Sequence, residues 1–78
     1  MYQEFQHKLG KRIKALREMK GISQQELASI CDFEKSNMSR LEAGRTNPTV
    51  GTLLKICAAL SISLPNLVSI DEKQDPSV

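Results

Sequence analysis

The sequence predicts an all-α domain, a compact bundle of five short helices, and three observations predict it. Apolar residues recur at helical spacing, as in Phe5, Leu9, Ile13 and Leu16 at intervals of four, four and three. Cap and stop residues (Gly21, Ser23, Gly44, Thr49 and Ser63) cut the chain into pieces of helix length. Only Tyr2, Phe5 and Phe33 are aromatic, so the core is aliphatic, which suits packed helices better than a sandwich of sheets. No strand pattern, repeat or low-complexity tract interrupts this pattern. With 78 residues the chain forms one domain, expected over residues 1–70. A chain this short buries only about 60% of the surface its unfolded form exposes, so the core must be economical.

The first helix is expected from Glu4 to Lys20, with lysines on the faces away from the apolar stripe. Gly10 weakens it locally and Gly21 stops it. Ser23-Gln24-Gln25-Glu26 is a capping box, in which the serine side chain accepts from the Glu26 amide and Glu26 returns a bond to the Ser23 amide. A second helix should then run from about Gln24 to Cys31, burying Leu27, Ala28 and Cys31. Cys31-Asp32-Phe33 is a tight turn. The third helix runs from Phe33 or Glu34 to Ala43, where Gly44 ends it. Its cap is open between two residues: Asp32 is chemically the better one, while Glu34 caps poorly but suits the dipole. After the loop Arg45-Thr46-Asn47-Pro48, Thr49 caps a fourth helix with Val50, Leu53, Leu54, Ile56, Cys57 and Leu60 available for burial. Ser63 caps a short fifth helix carrying Leu64, Leu67, Val68 and Ile70. Residues 71–78 hold no core-forming residue before the last position and are expected to be a disordered acidic tail.

The net charge is only +2, but it is unevenly placed. Residues 1–20 set Lys8, Lys11, Arg12, Lys14, Arg17 and Lys20 against Glu4 and Glu18, whereas residues 71–78 are net acidic. A basic body suits an anionic partner without identifying it. Cys31 and Cys57 have no second cysteine or histidine at ligand spacing, and His7 is the single histidine. They read as buried free thiols in a reducing compartment, with no metal and no cofactor expected. No apolar run reaches the roughly 18 residues of a membrane span, and no signal-peptide core opens the chain, so the expected location is cytoplasmic and away from membranes. No nucleophile–base pair with a third member, metal set or phosphate-cradling glycine loop points to an enzyme.

Two short helices joined by three residues match a helix-turn-helix. At 100° per residue, Met38 and Leu41 share one side of the third helix, while Ser36, Ser39, Arg40 and Ala43 share the other with Lys35 at the edge. That outer face has no acidic residue, and its small side chains let the backbone approach a groove floor. Arg40 can donate two bonds to a guanine edge, Lys35 can do so or bind phosphate, and Ser36 can bond to a base or a phosphate. An ordinary solvated amphipathic helix would show the same pattern.

The stretches Leu16-Arg17, Gly21-Ile22-Ser23-Gln24-Gln25-Glu26-Leu27-Ala28, Met38-Ser39-Arg40-Leu41-Glu42-Ala43-Gly44, Asn47-Pro48-Thr49 and Thr52-Leu53-Leu54-Lys55-Ile56-Cys57-Ala58-Ala59-Leu60 resemble the lambda-repressor-like, XRE-type helix-turn-helix family. The resemblance covers roughly residues 9–70. It implies a five-helix domain that binds double-stranded DNA as a homodimer on a palindromic site. By this resemblance Lys35, Ser36 and Arg40 match base-reading positions. Gln24 matches a position whose side chain and amide hold a phosphate, as a helix N-terminus would. Asn37 and Ser39 flank the base readers on the backbone side, Asn37 either reaching sugar-phosphate or bracing the turn. Arg45 and Asn47 match loop positions that contact phosphates, although Asn47 could instead organise its own turn before Pro48. Arg17 and Glu42 match a structural ion pair between the first and third helices, so Arg17 is not counted as a DNA contact.

Three positions depart from the family pattern. Asp32 stands where glycine is common, and aspartate tolerates a left-handed backbone. Glu34 stands where serine or threonine is common, which puts a carboxylate near the phosphate path; it either points away or helps to exclude certain bases. Gly51 replaces a helix-favouring residue in the first turn of the fourth helix. The expected function is a transcriptional regulator, a repressor by preference. Two dyad-related helices on half-sites about 34 Å apart would read enough base pairs for useful specificity. Leu64, Leu67, Val68 and Ile70 are the candidate dimer surface, the alternative being that they close the monomer core. Other readings are an antitoxin or restriction–modification controller acting on its own operon, or a protein-interaction adaptor that keeps the fold.

Overall fold

The computed structural model describes residues 2–70; the expected acidic tail over 71–78 lies outside them. Five helices follow in order: α1 (Tyr2–Met19), α2 (Gln24–Ile30), α3 (Lys35–Glu42), α4 (Val50–Leu60) and α5 (Leu64–Leu67). No strand occurs among the described residues. The all-α fold expected from the sequence is therefore the fold observed.

Local chemistry sets most of the boundaries. α1 ends at Met19, and the Ile22 amide donates back to the Arg17 carbonyl across the turn at Gly21. The capping box of α2 is complete: Ser23 Oγ accepts from the Glu26 amide at 3.0 Å, and Glu26 Oε1 accepts from the Ser23 amide at 2.7 Å. Thr49 Oγ1 accepts from the Thr52 amide at 3.1 Å, and Ser63 Oγ from the Asn66 amide at 3.3 Å, opening α4 and α5. Each such cap is worth about 1 kcal/mol. The open question at α3 resolves to Glu34, which is the N-cap residue although its side chain makes no capping bond. Asp32 instead forms the left-handed bend that turns the chain out of α2, with a φ of 61°. Cys31 caps the end of α2, which stops at Ile30, one residue before the expected end.

The core is aliphatic and single. Leu9, Ile13, Leu27, Ala28, Cys31, Met38, Leu41, Ile56, Cys57, Leu60 and Leu67 form it. Full burial of each large side chain contributes roughly 1.5–3 kcal/mol. Two expectations are corrected here. Leu67 is fully enclosed, at 0% exposure, so it belongs to the monomer core and is not available as a dimer contact. Leu64, Val68 and Ile70 are only partly buried against that core. On α4, Val50 and Leu54 are 63% and 50% exposed rather than buried. Leu53, Ile56, Cys57 and Leu60 define the buried stripe of that helix, and at 100° per residue Val50 and Leu54 fall beyond its edge.

Gly10 plays the opposite part from a weak point. A Cβ there would lie 2.5 Å from the Glu42 carbonyl oxygen and 2.6 Å from that of Leu41. The missing side chain lets α1 cross directly over the end of α3. Arg12 ties the other end of the bundle: its Nε donates to the Asn66 and Leu67 carbonyls at 3.1 and 3.0 Å, and its Nη2 to Asn66 at 2.8 Å. Those carbonyls close α5, which holds this last, four-residue helix against α1.

Candidate nucleic-acid interface

α2, the turn through Glu34 and α3 form the helix-turn-helix, and the two faces of α3 are chemically separate. Met38, Leu41 and Glu42 point inward and are buried. Lys35, Ser36, Asn37, Ser39 and Arg40 are all exposed. Glu42 is the one acidic residue of α3, and its burial leaves the outer face of the helix without a carboxylate.

Glu42 is held by a network that orients α3. Arg17 Nε donates to Oε2 at 2.7 Å and Arg17 Nη2 to Oε1 at 3.1 Å, a forked pair whose side chains are 9% and 3% exposed. Arg17 Nη1 also donates to the Ile22 carbonyl at 2.9 Å. The Glu42 hydrogen bond raises the guanidinium pKa above its already high ordinary value, against the opposing pull of burial. Arg17 therefore stays charged at any working pH. Gln24 Nε2 adds a third donor, to Glu42 Oε1 at 2.9 Å. One carboxylate thus gathers the end of α1, the start of α2 and the end of α3. The Gln24 side chain, expected to hold a phosphate, is committed to this network by one amide hydrogen; as first-turn groups, its backbone N–H and that of Gln25 have no carbonyl partner within α2.

On the outer face, Arg40 Nη2 donates to Asn37 Oδ1 at 2.6 Å. Asn37 so clips the guanidinium along the helix and keeps its own amide N–H groups for another acceptor. Ser36 lies at the centre of the exposed arc with Arg40, and Lys35 and Ser39 flank them on one side. The Arg45 amide donates to the Arg40 carbonyl at 2.9 Å, which fixes the start of the loop that follows α3. Gly44 makes that turn with a φ of 76°, and a Cβ there would collide with His7 of α1. Arg45 and Asn47 are exposed on this loop, and Asn47 makes no side-chain hydrogen bond to its own turn. A shallow cleft lined by Phe33, Asn37, Asn47, Pro48 and Thr52 separates α3 from the start of α4.

Several contributors escaped the sequence reading. Arg12 looked like one more cation of a basic face, because its acceptors are backbone carbonyls 54 and 55 residues away. Gly10 looked like a defect because only the packed structure shows what it touches. Lys55 lies over the Phe33 ring at 5.6 Å from its centroid, bracing the turn from α4. Cys31 and Cys57 are buried free thiols whose pKa values burial pushes up. Among the described residues no group of three or more His, Cys, Asp or Glu could hold a metal ion. No helix there is long and apolar enough to cross a membrane.

Comparison with known proteins agrees with this geometry. A family model described as helix-turn-helix matches residues 13–67. The helix-turn-helix-type transcriptional regulator y4dJ of Sinorhizobium fredii is 39% identical over 61 residues, covering 78% of this chain and 79% of that protein. SinR of Bacillus subtilis, another such regulator, is 40% identical over 68 residues; the match covers 86% of this chain and 60% of SinR. Among solved structures, the restriction-modification controller protein C.AhdI of Aeromonas hydrophila superposes with a TM-score of 0.81 at 32% identity, over 85% of this chain and 96% of that one. Matched through α2, the turn and α3, and sharing the fold of these regulators, the chain belongs to the XRE-type helix-turn-helix family of DNA-binding transcriptional regulators.

Proposed function

We propose that the chain represses transcription as a homodimer that reads a palindromic operator in double-stranded DNA, in the cytoplasm, through the outer face of α3. The observation that carries this reading is the contrast within α3: its one carboxylate is buried while Lys35, Ser36 and Arg40 stand exposed together. In this reading those three residues meet base edges, with Arg40 donating to guanine. Gln24 (through its backbone amide), Asn37, Ser39, Arg45 and Asn47 hold phosphates on either side. The dimer surface draws on Leu64, Val68 and Ile70, which the core covers only in part. Similarity to C.AhdI favours a second reading, a controller of a restriction–modification operon, which would use the same surface.

Selection of binding sites from a random duplex pool, sequenced at two salt concentrations, tests the proposal. A palindromic motif is the expected result. If the dimer touches about eight phosphates, log K falls with log salt at a slope near −7. No enriched motif, with weak binding lost at moderate salt, would contradict DNA reading and favour a protein-interaction adaptor.

A further inference from the structure

The recognition helix opens on a residue that does little for the helix. Glu34 occupies the N-cap position of α3 with extended backbone, φ −80° and ψ 148°, and its side chain makes no capping bond. Ser23, Thr49 and Ser63, at the equivalent positions of α2, α4 and α5, all accept such a bond. The Glu34 carboxylate is exposed and makes no hydrogen bond or ion pair with any described residue, even with Lys35 next to it. Helix stability does not account for glutamate at this position, since serine, threonine or aspartate would cap better.

The place of this free carboxylate suggests its use. In a helix-turn-helix the N-terminal residues of the second helix contact base edges in the major groove. A carboxylate carried there is repelled by the phosphates unless a base donor satisfies it. The donors on offer are the amino groups of cytosine and adenine; guanine and thymine present acceptors. Adenine sets its N7 acceptor beside its amino group, where it would face the second carboxylate oxygen, whereas the cytosine amino group stands alone on its base. We infer that Glu34 is a specificity-determining residue that accepts a hydrogen bond from the amino group of one cytosine in each half-site and excludes guanine and thymine there. In this reading Lys35, the next residue and also exposed, donates to the guanine paired with that cytosine. The inference rests on the major-groove reading proposed for α3.

The test is parallel selection from one random duplex pool with the unmodified protein, Glu34→Ala and Glu34→Gln. Thermal unfolding should be nearly unchanged in both variants, because the Glu34 side chain makes no bond to lose and its carbonyl still accepts from the Asn37 and Met38 amides. The unmodified protein should enrich one cytosine per half-site, preferring it about tenfold over guanine or thymine. Glu34→Ala should lose that preference and keep the rest of the motif. Glu34→Gln, which both accepts and donates, should shift the position towards adenine. The same motif from all three proteins, or uniform tightening of the variants on every duplex, would overturn the inference while leaving the DNA-reading proposal in place. No motif from the unmodified protein would overturn both.

Discussion

The two faces of α3 answer to different demands. The inner face is closed: Met38 is fully buried, Leu41 nearly so, and Glu42 has both oxygens occupied by donors from Arg17 and Gln24. The outer face is open, with Lys35, Ser36, Ser39 and Arg40 exposed and the Asn37–Arg40 bond its one internal polar contact among the described residues. Changing an inner residue leaves a cavity or an uncompensated charge. Changing an outer one leaves the monomer as it was. The contrast teaches that a buried network can hold a helix at a fixed angle while its opposite face stays free to vary.

The largest expected effect comes from attacking the inner face. Glu42→Ala leaves Arg17 buried without its partner and should cost about 3–5 kcal/mol, read as a lower urea midpoint. A loss within about 0.5 kcal/mol, the range of an ordinary surface change, would mean that the pair does not set the angle of α3. Gly10→Ala forces a methyl group against the backbone carbonyls of Leu41 and Glu42, and should cost about 1–3 kcal/mol in the same assay. A helix-propensity gain with no such loss would show that α1 can shift away cheaply. Ser23→Ala removes one half of the capping box and should cost about 1 kcal/mol. The smallest effect belongs to the outer surface: Arg45→Ala should weaken binding on every duplex alike and reduce the salt slope by about one, without moving the unfolding midpoint. A change in which sequences are preferred would instead place Arg45 among the base readers.

The same contrast explains what could be read from the sequence. Caps are local chemistry, so Ser23, Thr49 and Ser63 announced three helix starts from residues three positions apart. The stripe Phe5, Leu9, Ile13 and Leu16 announced α1 by period alone, although Phe5 at its start is 39% exposed. The family resemblance pointed to Arg17 and Glu42, but not to the third donor, Gln24. That bond, the Arg12 clamp on α5 and the approach over Gly10 all join residues distant in sequence. Period alone also failed at the margins of helices. Val50 and Leu54 are apolar yet exposed, because the edge of a buried stripe depends on which neighbour arrives; Leu67 is enclosed because α5 turns it inward. At the turn, chemistry favoured Asp32 as the cap, but the left-handed bend after α2 takes it first and leaves the cap position to Glu34.

Arg40→Ala, titrated against a set of operators changed one base pair at a time, tests the separation of the two faces most directly. The expected unfolding midpoint corresponds to a stability within about 0.5 kcal/mol of the unmodified protein. Discrimination should fall by about 1–3 kcal/mol at one base pair of each half-site. Uniform weakening on every operator, or a large loss of stability, would contradict that separation.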